Sequence, residues 1–123
     1  MFRREVLKSG LAAASLGVSG TVWAQAYPNR SIRFIVPYSA GNTDTTARIY
    51  GAKLAERLGQ QVVIDNRPGA SGIIAAELVS KAQPDGYTVL ISGSSISAVG
   101  SLYKNVKFDV QRDLEPLALV ATS

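Results

Sequence analysis

Three short runs rich in β-branched residues, separated by two stretches of helical spacing, constrain this chain more than any other feature. Ser31-Ile32-Arg33-Phe34-Ile35-Val36 ends at Pro37 and predicts a buried strand. Gln61 to Asp65, centred on Val62-Val63-Ile64, predicts a second, and Tyr87-Thr88-Val89-Leu90-Ile91 a third. Between the first two, Ala47, Tyr50, Leu54 and Leu58 recur at helical spacing over Asp44 to Leu58. Thr43 or Asp44 suits its N-cap and Gly59 its C-terminal stop. Ser71 to Ala82 predicts a second helix, with Ala75, Val79 and Ala82 on one face and Ile74 and Leu78 beside them. A short helix is expected around Ala98–Leu102 and a fourth strand over Leu117-Ala118-Leu119-Val120. The order βαβαβ predicts an α/β fold: a mostly parallel sheet with right-handed crossovers and flanking helices.

Such a sheet binds ligands in the crevice beyond the carboxyl ends of its strands. Small, polar loops leave those ends at 37–43, 66–70 and 92–95. The first runs into a helix N-terminus, where free N–H groups and the positive end of the helix dipole suit a carboxylate or phosphate. For the backbone of 39–43, ligand contact is the favoured reading. For Asp44 it is ordinary capping, because its carboxylate would repel an anion. Gly69, Ala70, Ser71 and Gly72 form a possible second anion-binding turn, balanced against a plain tight turn. It is neither a P-loop nor a GxGxxG fingerprint. Ser92, Ser94 and Ser95 can donate hydroxyl hydrogen bonds.

Charge and composition narrow the chemistry further. The chain has neither Cys nor His, which removes the usual zinc sites, thiol nucleophiles and disulfides. A catalytic Ser would need a Lys or carboxylate partner, and no local motif supplies one. No catalytic residue, metal or cofactor is expected. The formal charge is +4, and half of it comes from Arg3, Arg4 and Lys8 against Glu5. The other basic residues are scattered, so nucleic acid is not an expected partner.

Residues 1–26 have the order of a secretory signal peptide: a charged start, an apolar run from Gly10 to Val22, and Ala24-Gln25-Ala26 before cleavage after Ala26. The run is too short for the ~20 residues of a membrane span, so the mature chain should have none. Arg3-Arg4-x-Val6-Leu7-Lys8 is also similar to a twin-arginine motif, and the two export routes stay open.

The motifs, in their order, resemble the solute receptors of the tripartite tricarboxylate transporter, or Bug, family. The matching stretches begin with Tyr27-Pro28-Asn29-Arg30, Ile32 to Tyr38, Thr43-Asp44, Ala47-Arg48 and Leu54-x-x-x-Leu58-Gly59-Gln60. They continue with Val62 to Ala70 and Gly72, Ala82-x-Pro84-Asp85-Gly86-Tyr87-Thr88, Leu102-Tyr103, Phe108-Asp109 and Asp113-Leu114-x-Pro116. The resemblance implies the N-terminal part of a type II periplasmic binding protein fold, with 27–123 an incomplete first α/β domain. It implies a periplasmic receptor that captures a small carboxylate and hands it to membrane permease subunits. It carries ligand contacts onto Tyr38, Ser39, Ala40, Gly41, Asn42 and Thr43, and onto Ser94 and Ser95. The family's first loop usually reads Pro-Phe-x-x-Gly-Gly-x-x-Asp; here Asn42 stands for the second Gly and the loop is one residue shorter. Other readings are a receptor that presents its ligand to a sensor kinase, a gene remnant without function, and an exported α/β hydrolase fragment.

Overall fold

The computed structural model describes residues 24–122. The export segment predicted over 1–26 therefore lies outside the described residues, apart from its last three.

The three predicted strands form one parallel sheet in the order β2-β1-β3. They are β1 (Ile32–Val36), β2 (Val62–Asn66) and β3 (Thr88–Leu90). Two helices connect them, α1 (Asn42–Leu58) and α2 (Ile73–Ser80). The chain steps from β1 to β2 on one side, then back across β1 to β3. Right-handed crossovers in opposite directions put their helices on opposite faces of a sheet. The packing agrees. Ile32, Phe34, Val36 and Ile91 share a core with Ala47, Leu54 and Leu58 of α1. Leu90, pointing the other way, packs with Ala76 of α2 and with Val99 and Phe108. β1 is buried from both sides; Ile35 and Val36 expose nothing to solvent.

Several predicted boundaries move for physical reasons. Helix α1 begins at Asn42 with Gly41 as N-cap, so neither Thr43 nor Asp44 caps it. Its buried stripe runs through Gly51 instead of Tyr50. A Cβ at Gly51 would lie 3.2 Å from side-chain atoms of both Val62 and Ile64, so the missing side chain lets the helix approach β2. Tyr50 turns outward, and its hydroxyl donates to the Val120 carbonyl at 2.5 Å. Gly59 does stop α1, left-handed at φ 67°, with its N–H on the Ala55 carbonyl at 3.0 Å. The second helix is shorter than 71–82: its start is a tight turn over Ala70–Gly72 with left-handed backbone. On α2 the buried residues are Ala75 and Ala76, and Ile74 faces solvent.

Beyond β3, a tight helical turn (Ser94–Ala98) leads into α3 (Val99–Leu102). A further short helix, α4 (Val110–Asp113), was not expected; Asp109 caps it by accepting from the Gln111 and Arg112 N–H groups. The fourth strand predicted over 117–120 is absent. A strand needs a hydrogen-bonded neighbour, and this segment does not pair with β1, β2 or β3. Leu117 and Leu119 are 72% and 82% exposed, so their alternation buries nothing. Among the described residues no helix is long and apolar enough to cross a membrane.

Candidate functional site

In an open parallel sheet the crevice opens where neighbouring strands send their connections to opposite faces. Here that point lies between β1 and β3. Tyr38, just past β1, and Ser95, in the turn after β3, meet across it: their hydroxyl oxygens are 3.0 Å apart. The Ser95 bond holds the Tyr38 phenol below the ordinary tyrosine range; burial opposes this, and the Ser92 hydroxyl and Gly93 N–H add smaller contributions in the same direction. Ser92 Oγ is itself buried without a hydrogen bond of normal geometry among the described residues. Ser94 does not join the pair; its carbonyl accepts from the Ser97 hydroxyl at 2.7 Å.

The loop after Tyr38 delivers the start of α1 to the same crevice. The first bond to close the helix runs from the Thr45 N–H to the Gly41 carbonyl, at 2.9 Å. The N–H groups of Asn42, Thr43 and Asp44 precede it, and no side chain caps them. They are donors aimed out of the helix at its positive end. Asp44 does not occupy them. Its carboxylate is nearly buried and accepts from Arg48 Nε at 2.9 Å and from Asn66 Nδ2 at 3.0 Å. Arg48 first, then Asn66, hold it below the usual carboxylate range. Asp44 thus does not cap the helix as the sequence suggested, but ties it to Arg48 and Asn66 instead.

Asn66 is the residue sequence reasoning missed. Its side-chain amide also donates to the Tyr38 carbonyl at 3.0 Å. One amide therefore ties the end of β2 to the first loop and to α1. The register that pairs Val36 with Asn66 puts it there, and an alternating pattern alone could not reveal that register.

The turn at 69–72 carries left-handed angles at four successive residues: Gly69 (φ 130°), Ala70 (46°), Ser71 (54°) and Gly72 (88°). For Ala70 and Ser71 that conformation is uncommon and costs free energy. Gly72 is buried against Pro37; a Cβ there would come within 3.2 Å of the proline. The turn touches the Ser94–Ala98 turn, and Ser71 Oγ lies 2.9 Å from the Tyr103 hydroxyl. So the structure gathers 38–44, 69–72 and 92–95 at one end of the sheet. Nothing in the local sequence pointed to Tyr103.

Arg33, Arg48 and Arg67 are each paired with a carboxylate. Asp65 takes Arg67, at 2.9 Å, and Arg33, while Asp44 takes Arg48. A groove of about 430 Å³ lies away from the crevice, near the amino ends of the strands. Arg33, Val63 and Thr88 sit side by side on its floor, with Arg30, Asp85 and Tyr87 at its wall. No group of three or more potential metal ligands occurs among the described residues.

Residues 46–123 match the family model of the tripartite tricarboxylate transporter family receptor. The chain belongs to this receptor family. Its members are solute-binding proteins, not enzymes. The chain is 42% identical over 114 residues to the protein BugT of Bordetella pertussis, covering 90% of itself and 35% of BugT. Among solved structures, the periplasmic binding protein BugD aligns with a TM-score of 0.68 at 37% identity, over 73% of this chain and 30% of BugD. MatC from Rhodopseudomonas palustris, with bound malate, aligns at 0.70 and 36% identity, over 76% of this chain and 33% of MatC. The chain spans about a third of the length of the curated relatives it matches. The parallel sheet with helices on both faces is therefore the architecture of part of a periplasmic binding protein.

Proposed function

We propose that this chain contributes the carboxylate-holding half of an exported solute receptor. Its ligand is a small carboxylate, taken up outside the cytoplasm and passed to the membrane permease subunits of a tripartite tricarboxylate transporter. The observation that carries the reading is the uncapped start of α1 at the sheet's switch point, beside the Tyr38–Ser95 pair. Backbone N–H groups there give a carboxylate charge-assisted bonds without reorganisation. MatC, a relative of the same architecture, holds malate.

In this reading Tyr38, Ser39, Ala40, Gly41, Asn42 and Thr43 line one side of the ligand, and Ser95 with Ser94 the other. The 69–72 turn is a second place for a negative group, its strained backbone turning toward the same crevice. Residues 1–26 act as the export signal. Support for cleavage after Ala26 comes from the next residue: Tyr27 is already part of the fold, its hydroxyl donating to the Gly86 carbonyl at 2.7 Å. Binding by closure against a second domain would follow the hinge transitions common among such receptors.

The test is ligand-induced thermal shift on the chain from Tyr27 with a panel of small mono-, di- and tricarboxylates. Ligands that bind the native state raise the melting temperature by mass action. A rise that Thr43→Pro abolishes, by removing one N–H donor, supports the site. A rise that this variant leaves unchanged moves the carboxylate elsewhere.

A further inference from the structure

We infer that Tyr38, Ser92 and Ser95 form a specificity element that reads a neutral oxygen on the ligand, a hydroxyl or a carbonyl, next to its carboxylate. This rests on the crevice reading above and adds the class of carboxylate that fits it: hydroxy- or oxo-acids over their unsubstituted analogues.

Three observations converge. The first is placement. Tyr38 belongs to the loop after β1 and Ser95 to the turn after β3, and their 3.0 Å contact spans the crevice next to the α1 N-terminus. A group bound there meets both loops at once.

The second is proton counting. Three hydroxyls bring three protons and six lone pairs. The Tyr38–Ser95 bond consumes one proton, whichever oxygen donates. A second proton and several lone pairs remain on that pair. Ser92 adds capacity that is only partly used: its buried oxygen acts on the Tyr38 phenol but has no hydrogen bond of normal geometry among the described residues. Burying a hydroxyl without a partner costs stability.

The third is charge. The arginines placed near these loops are held by carboxylates, Arg48 by Asp44 and Arg67 by Asp65. A cluster of hydroxyls without a free cation suits a neutral dipole better than a second full charge. A ligand hydroxyl both donates and accepts, which is what the remaining protons and lone pairs can match. An apolar methylene at the same point would leave them unpaired, and sites built to bond a polar group discriminate strongly against its absence.

Calorimetric titration with matched pairs differing by one hydroxyl tests this: malate against succinate, and lactate against propionate. The wild-type chain is expected to prefer at least one hydroxylated member about tenfold or more. Tyr38→Phe and Ser92→Ala should each reduce that preference to about twofold or less. They should do so by weakening the hydroxy-acid more than its unsubstituted partner. Ser92→Ala should also melt no lower than wild type, because it removes an unsatisfied group. A purely structural serine would behave in the opposite way. Equal wild-type affinity for both members overturns this inference while the carboxylate reading stands. So does a preference that survives both substitutions, or a melting temperature lowered by Ser92→Ala. Failure of the wild-type chain to bind any of the four acids overturns the carboxylate reading and this inference with it.

Discussion

At the amino end of the sheet, polar side chains satisfy one another. Tyr27 donates to the Gly86 carbonyl, and Tyr87 accepts from the Asn29 N–H while donating to its side chain. Arg30 pairs with Asp85 at 2.8 Å and lies 4.2 Å above the Tyr87 ring. Asp85 also accepts from the Tyr87 N–H, closing the turn. At the carboxyl end the same kinds of group are left open. Helix α1 starts without a cap, Ser92 has no hydrogen bond of normal geometry among the described residues, and Ala70 and Ser71 hold left-handed backbone. The groove with two arginines belongs to the satisfied end, and the neutral donors belong to the open one. Unspent backbone donors, and not paired arginines, therefore mark the place for an anion in this chain.

Substitutions at the two ends should separate stability from binding. The largest effect is expected for Gly72→Val, at the open end. Its φ of +88° and the contact with Pro37 should together cost about 3 kcal/mol. Urea unfolding should show this loss, and the ligand response should vanish with it. Asn66→Ala comes next. It should lose about 1–2 kcal/mol of stability by deleting two half-buried bonds. Carboxylate affinity should drop roughly tenfold as the first loop loosens, equivalent to ~1.4 kcal/mol. Unchanged affinity would break the proposed link between Asn66 and the site.

Gly86→Ala sharpens the contrast from the other end. At φ +79° a Cβ would lie 2.7 Å from the Tyr27 hydroxyl oxygen, so the clamp must open. A cost of about 1–2 kcal/mol is expected from the backbone alone. Affinity of the remaining folded protein should stay within about twofold, because no donor of the crevice is touched. Arg30→Ala should cost less than about 1 kcal/mol, since its ion pair is exposed, and should leave ligand binding alone. An affinity loss in Arg30→Ala would give the groove a binding role and break the comparison.

The smallest effect is in acid. Arg67 and Arg33 hold Asp65 below its ordinary range, and Arg112 with the Asp109 N–H holds Asp113 at about 2. A carboxyl depressed in the folded state contributes stability above its unfolded value, and that contribution is lost as pH falls through the folded one. Melting temperature should therefore be flat from neutrality to about pH 5. It should then decline progressively toward pH 2.

How much of this was legible beforehand differs between scaffold and site. The three strands and two long connections follow from β-branched runs and helical spacing, because local preference and burial agree there. Gly51 was not legible as a packing residue, since it carries no hydrophobicity to count. The expected strand at 117–120 failed because alternation signals a strand only when a neighbour covers one face, and Leu117 and Leu119 are uncovered. In the site, loop position alone indicated Tyr38 to Thr43 and Ser95. Asn66 and Tyr103 gain their meaning from register and from contacts across 28 and 32 residues, which spacing does not encode. Two stretches that carry the family resemblance, Tyr27 to Arg30 and Pro84 to Thr88, grip each other at the scaffold end.

The most direct test of the account is an amide NMR titration of the chain with malate, residue by residue. The account predicts shift changes over Ser39 to Asp44 and Ser92 to Ser95, with Arg30, Arg33 and Asp85 to Thr88 unmoved. Changes concentrated at Arg30, Arg33 and Asp85 to Thr88, with a silent first loop, would contradict it and move anion binding to the arginine-lined groove.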